Sequence, residues 1–151
     1  AYAFKYFSKA NWKNGVLSEI SVIVDDDGEP FSLKGRKEAG EFLIESPKKK
    51  FKTPLPLFPT NHWNANVINE KFVLNTLTGE LNRVDIIARG VETLQSGHGE
   101  IKSQRYSYTG DLDTEVWYDQ KGRWVGMEFK GKDGSIITYV CQQCFSSKDR
   151  N

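Results

Sequence analysis

Metal- and thiol-based chemistry has little to work with in this chain, whose 151 residues hold two cysteines, two histidines and one methionine. A structural zinc site takes four ligands, so a site within one copy requires Cys141, Cys144, His62 and His98 all to converge. An excess of charge of one sign is also missing. Lysine and arginine number 21 against 20 aspartates and glutamates, which leaves no global field to gather nucleic acid or an anionic surface. Nucleic acid is therefore not an expected partner. No apolar run approaches the ~18 residues of a membrane helix, so no membrane span is expected, and no charged-then-apolar leader precedes the small-x-small triplet Ala1-Tyr2-Ala3. A phosphate loop, a dinucleotide glycine fingerprint, a Gly-x-Ser-x-Gly elbow and a His-Glu-x-x-His helix are all absent, and no cofactor is expected.

What is present is strand chemistry. From Arg105 to Val140 apolar residues alternate with polar ones: Tyr106 with Tyr108, Val116 with Tyr118, and Val125 with Met127 and Phe129. Asp119-Gln120-Lys121-Gly122 and Gly131-Lys132-Asp133-Gly134 separate these runs as hairpin turns. Upstream, Tyr2, Phe4 and Tyr6 share one side of an opening strand, and Val16, Ile20, Val22 and Val24 share a face of the next. Asp25-Asp26-Asp27-Gly28 then reads as a turn. As a calcium loop its closing position falls on Lys34, which cannot ligate. Phe42-Leu43-Ile44 is a short strand. Pro47, Pro54, Pro56 and Pro59 mark residues 46–60 as a crossing loop, with Lys48-Lys49-Lys50-Phe51-Lys52 a solvated basic run. Thr60 is placed to N-cap one or two helical turns near 60–69. Strands follow at Phe72-Val73-Leu74 and from Leu81 to Arg89, Gly90 ends the latter, and Val91 to Gln95 form another.

Pro59-Thr60-Asn61-His62-Trp63-Asn64, then Leu74-Asn75-Thr76-Leu77-Thr78-Gly79, then Tyr108 to Asp119 and Asp133-Gly134-Ser135 resemble, in that order and spacing, an uncharacterised family of bacterial exported proteins known as a domain of unknown function. The resemblance covers most of the chain, including Asn11 to Leu17 and Asp25 to Gly28. It implies an all-β, antiparallel curved sheet or partial barrel, lipocalin-like or lipoprotein-carrier-like, in the periplasm or otherwise exported. The family pattern begins with a signal peptide and further strands, so the expectation is a single β domain over residues 1–151 that lacks those strands and has an open edge, where copies of the chain can associate. No catalytic residue is implied.

The candidate residues stand on their own chemistry. His62 and Trp63, at the mouth of the proline-rich crossing, and Trp117, Tyr118 and Met127, on the meander, are candidates to line a pocket for a lipid or other apolar small molecule. Cys141 and Cys144, three apart, form a local disulfide if the chain turns there, or remain free thiols. Zinc binding and thiol redox chemistry are the alternatives. Asp111, Asp113, Glu115, Asp119 and Asp133 place carboxylates along the meander, as glycoside hydrolysis requires, or simply face water at turns. The leading reading is a non-enzymatic cell-envelope domain that binds an apolar ligand on a concave sheet face. A metal- or thiol-dependent enzyme using Cys141, Cys144 and His62, and a structural assembly module, are the other two.

Overall fold

The computed structural model of the chain describes residues 3–61, 64–96, 99–131 and 133–140. The strands are β1 (Phe4–Lys13), β2 (Val16–Asp26), β3 (Glu29–Glu38), β4 (Glu41–Ser46), β5 (Lys49–Pro54), β6 (Phe72–Leu74), β7 (Leu81–Ser96), β8 (Gly99–Gly110), β9 (Thr114–Asp119), β10 (Trp124–Lys130) and β11 (Ile136–Val140). They build a five-stranded sheet in the order β1-β2-β3-β4-β5 and a six-stranded sheet in the order β11-β10-β9-β8-β7-β6. The protein is all-β with antiparallel sheets, as the alternation predicts, and one of them is curled into a half-barrel, as the family resemblance implies. Among the described residues the helical segment is a single 3-10 turn, Ala65–Asn69, within the expected window. Its cap is Asn64, whose side chain accepts from the Asn66 amide at 3.0 Å, and not Thr60.

By internal contacts the chain divides into two compact units, Ala1–Asn61 with Phe72–Asn82, and His62–Lys71 with Arg83–Asn151. In the first, β1 to β4 are joined by two-residue loops at Asn14-Gly15, Asp27-Gly28 and Ala39-Gly40, and both residues of each loop hold positive φ. That backbone matches the right-handed twist of paired strands. The triple-aspartate segment is accordingly a turn, and Asp25 Oδ1 accepts from the Gly28 amide at 2.7 Å.

Alternation then sorts side chains onto two faces. Ile20, Val22, Val24, Leu33, Phe42 and Ile44 bury one face together with Leu17, Leu57 and Leu74, and Tyr6, Trp12 and Phe51 pack at its margin. A bulge between Asn11 and Trp12 shifts the register of β1 on β2, so Trp12 meets Leu17. Leu17, and not Val16, is therefore the fully buried residue.

Residues 46–60 are not all loop. Lys49–Pro54 pairs with β4, Phe51 opposite Ile44, and closes the sheet as its end strand. Pro47 and Pro54 lie outside or at the last position of that strand, where a missing N–H does not interrupt the ladder.

In the second unit β7 runs on through Gly90, which takes φ +103 beside a register shift between Ala88 and Gly90. A bulge absorbs the glycine and the strand continues. The meander from β8 to β11 forms as expected, with one change. A second register shift, between Trp124 and Gly126, turns Val125 to the face of Trp117 and Ile101, while Met127 stays opposite Val116.

Candidate functional site

Three places gather polar or exposed chemistry, and each is built by strand register. The first lies where two motif segments meet. Pro59 bridges Leu74 in parallel, the Thr60 amide donates to the Leu74 carbonyl at 2.9 Å, and the Leu74 amide donates to the Phe58 carbonyl at 2.9 Å. This brings Thr60 Oγ1 within 2.9 Å of Thr76 Oγ1, and Tyr6 Oη lies 2.7 Å from the same Thr76 oxygen. Thr60 Oγ1 also accepts from the Thr76 amide at 3.0 Å. Beside them Asn75 Nδ2 donates to Asn82 Oδ1 at 2.7 Å, and Asn75 Oδ1 accepts from the Leu77 amide. The named groups of this cluster bond to one another, so it clasps the two segments together.

The second place is on β7, β8 and β9. Arg105 Nε donates to Glu115 Oε1 at 2.7 Å and Nη1 to Glu92 Oε2 at 3.1 Å, with its Cζ 5.7 Å from the Trp117 ring centre. Trp117 Nε1 donates to Glu92 Oε1 at 3.1 Å, Ser107 Oγ to Glu115 Oε1 at 2.6 Å, and Arg89 Nε to Ser107 Oγ at 2.9 Å. The Trp117 hydrogen bond and then Arg105 hold the Glu92 carboxyl below its ordinary value, and Glu115 followed by Glu92 raises Arg105. One guanidinium saturated by two carboxylates, with a tryptophan locked beneath it, is a cross-strand lattice rather than an open acid–base pair.

The expected pocket residues divide around this lattice. Trp117 and Tyr118 are consecutive in β9, and so they point to opposite faces of the sheet. Tyr118 shares its face with Val116, and Met127 pairs with Val116 from β10, so Tyr118 and Met127 come to one side and Trp117 to the other. Tyr118 and Tyr108 are almost wholly buried, and burial pushes both phenols up. His62, Trp63, His98, Cys141 and Cys144 lie outside the described residues. Among the described residues no group of three or more histidine, cysteine, aspartate or glutamate side chains is placed to hold a metal ion.

The meander carboxylates serve local geometry. Asp119 Oδ1 accepts from the Lys121 and Arg123 amides and Oδ2 from Arg123 Nε at 2.6 Å. Asp111 takes the Arg83 amide, and Asp133 takes the Ser135 amide; the Ser135 hydroxyl, followed by that amide, lowers the Asp133 carboxyl.

The third place is the face of the first sheet opposite its core, called the outward face below. Register sets its rows: Phe7 beside Ile23, then Lys9 beside Ser21 beside Lys34 beside Glu45, then Asn11 beside Glu19 beside Arg36 beside Leu43. A groove of about 370 Å³ runs over the last two rows, with Ile20 and Gly35 in its floor. Arg36 is occupied by Glu38 at 3.1 Å and Glu45 at 3.8 Å, and Asn11 Nδ2 donates to Glu19 at 3.1 Å. Lys9 and Lys34 make no ion pair among the described residues, and the Ser21 hydroxyl makes no hydrogen bond there. The adjoining Phe7 and Ile23 are 57% and 64% exposed, an apolar pair on a polar face. None of these residues was singled out from the sequence. The signal lay in Phe7 and Ile23, which fall on the polar side of the strand alternation.

An all-β protein of two antiparallel sheets, with cross-strand polar clusters and a groove on the outward face of its first sheet, is what these features define. The family described as domain of unknown function (DUF6134) matches residues 1–142, and the chain belongs to it. No curated protein and no solved structure matches the chain. No helix among the described residues is long and apolar enough to cross a membrane.

Proposed function

We propose that this is a non-enzymatic domain of the bacterial cell envelope, exported to the periplasm, that binds an amphiphilic ligand on the outward face of its first sheet. The observation that carries the binding role is the groove of about 370 Å³ bordered by the exposed Phe7 and Ile23 pair. Its size falls at the small end of ligand sites and suits a polar head group, while a chain laid along Phe7 and Ile23 removes apolar surface from water. The resemblance of its motifs to those of exported bacterial proteins supports the envelope setting.

The apolar part of the ligand is assigned to this face because the opposite face is filled. At Gly35 a Cβ built on the backbone overlaps Phe42 Cε2 and comes within 3.1 Å of Ile20 Cγ2, so the core there does not admit even a methyl group.

Titration calorimetry with dodecyl maltoside below its micellar concentration tests the reading. Binding with the wild-type chain is expected. Phe7→Ser with Ile23→Ser should weaken it about tenfold or more, from the loss of roughly 1.5–3 kcal/mol of burial per side chain offset by incomplete coverage. Unchanged affinity in that variant, with unchanged thermal unfolding, contradicts the reading.

A further inference from the structure

The lysine row of the groove carries a narrower assignment, one that rests on the amphiphile reading: we infer that the head group is a phosphate, seated by Lys9, Ser21 and Lys34. In register Lys9 and Lys34 flank Ser21 on the two neighbouring strands, and all three side chains rise from the same face. Strands lie ~4.8 Å apart, so the two lysine Cα atoms are separated by about 10 Å. Two flexible four-carbon arms span that gap over a residue as short as serine.

Like charges near one another on a sheet face repel, and in register only a serine stands between Lys9 and Lys34. Elsewhere on this face Arg36 has Glu38 and Glu45, and Lys52 has Glu38 at 3.4 Å, while Lys5 and Lys50, outside the groove, make no ion pair among the described residues. Lys9 and Lys34 have no carboxylate within ion-pair distance among the described residues, although Lys34 pairs in register with Glu45, whose Oε1 lies 3.8 Å from Arg36 Nη1. The groove as a whole sets three cations, Lys9, Lys34 and Arg36, against two carboxylates, Glu19 and Glu45. The unmatched positive charge lies on the lysine row.

Two ammonium groups and a hydroxyl make three donor positions around one point. A phosphate monoester answers them with close to two negative charges and three acceptor oxygens, and its ester oxygen leads the alkyl chain away toward the adjoining Phe7 and Ile23 row. Arg36, already held by two carboxylates, borders the seat without being needed in it.

The test compares dodecyl phosphate, dodecyl maltoside and inorganic phosphate, each titrated by calorimetry into the wild-type chain and into a Lys9→Gln, Lys34→Gln double variant. Both lysines are exposed, and glutamine keeps the first two methylenes of each stem, so folding is not at stake. The expected result is that dodecyl phosphate binds about tenfold or more tighter than dodecyl maltoside, that raising salt narrows the gap, and that the double variant closes it by weakening dodecyl phosphate far more than dodecyl maltoside. Ser21→Ala should narrow the gap partway. Equal binding of the two amphiphiles by the wild-type chain, or a preference that survives in the double variant, overturns the phosphate seat and leaves the amphiphile reading standing. Inorganic phosphate binding as tightly as dodecyl phosphate overturns the assignment to an amphiphile's head. Failure of both amphiphiles to bind overturns the reading on which the assignment rests.

Discussion

Glu92 shows how a single side chain can tie the strands of a sheet together. It accepts from Trp117 Nε1 and from Arg105 Nη1, and these two bonds, in that order, hold its carboxyl below the ordinary 4.5. A carboxyl depressed in the folded chain contributes stability in full above its unfolded value and loses it as pH falls through the folded value. Glu92→Gln should therefore be less stable than wild type near neutral pH, and the difference should shrink below about pH 4.5 as the wild-type carboxylate protonates. Thermal unfolding at about pH 7 and about pH 3.5 measures this. A difference that stays constant across that range rules out the ionic role.

Of this lattice, the sequence shows only Trp117 and Glu115 as interesting residue types. Their partners depend on which residues of three strands fall side by side, and the bulge between Ala88 and Gly90 fixes that for Glu92. Alternation within one strand carries no information about such neighbours. Thr60 is a comparable case. Its type and its position after Pro59 suit a helix cap, but the parallel bridge to Leu74 makes it a partner of Thr76 instead.

At the scale of the element, the periodic strands were legible and the irregular points were not. The β8 to β11 meander and the turns at Asp27-Gly28 and Asp119 to Gly122 follow directly from period-2 alternation and turn residues. Bulges break the inference, because one extra residue reverses the face of everything beyond it. Leu17 and Val125 sit on their observed faces for this reason. Strand β5 was hidden by its prolines, although Phe51 and Thr53 alternate inward with Lys50 and Lys52.

Gly35 provides the test of how tightly the first sheet is packed. It lies within β3 opposite Ile44 and Ile20, and its missing side chain makes room for the fully buried Phe42 ring. Gly35→Ala should cost about 1–3 kcal/mol through overpacking, despite alanine's better strand propensity at an ordinary φ. Urea unfolding measures the loss, and Phe42→Leu in the same chain should recover part of it. A neutral Gly35→Ala would mean that the face has room to spare, and it would reopen the core side of the sheet to a ligand.

At the scale of the whole molecule, near-neutral charge conceals local imbalance. The 21 basic and 20 acidic residues nearly cancel in sum, yet Lys9 and Lys34 share one row of the outward face and make no ion pair among the described residues. Composition points away from nucleic acid and says nothing about such a row. The groove was illegible for the same reason: it is lined by residues of four strands, β1 to β4, and most of them read in sequence as ordinary solvent-facing polarity. Family membership over residues 1–142 brings no activity with it, so the binding role stands on this face alone.

The most direct test is to map binding onto the backbone. Dodecyl phosphate, titrated below its micellar concentration into isotope-labelled protein, should shift the amide resonances of Phe7, Lys9, Ser21, Ile23 and Lys34 together and with one saturation curve, leaving those of Trp117, Tyr118 and Met127 in place. Saturable shifts confined to the second sheet, or no shifts at all, would contradict the assignment of the first sheet's outward face as the ligand site.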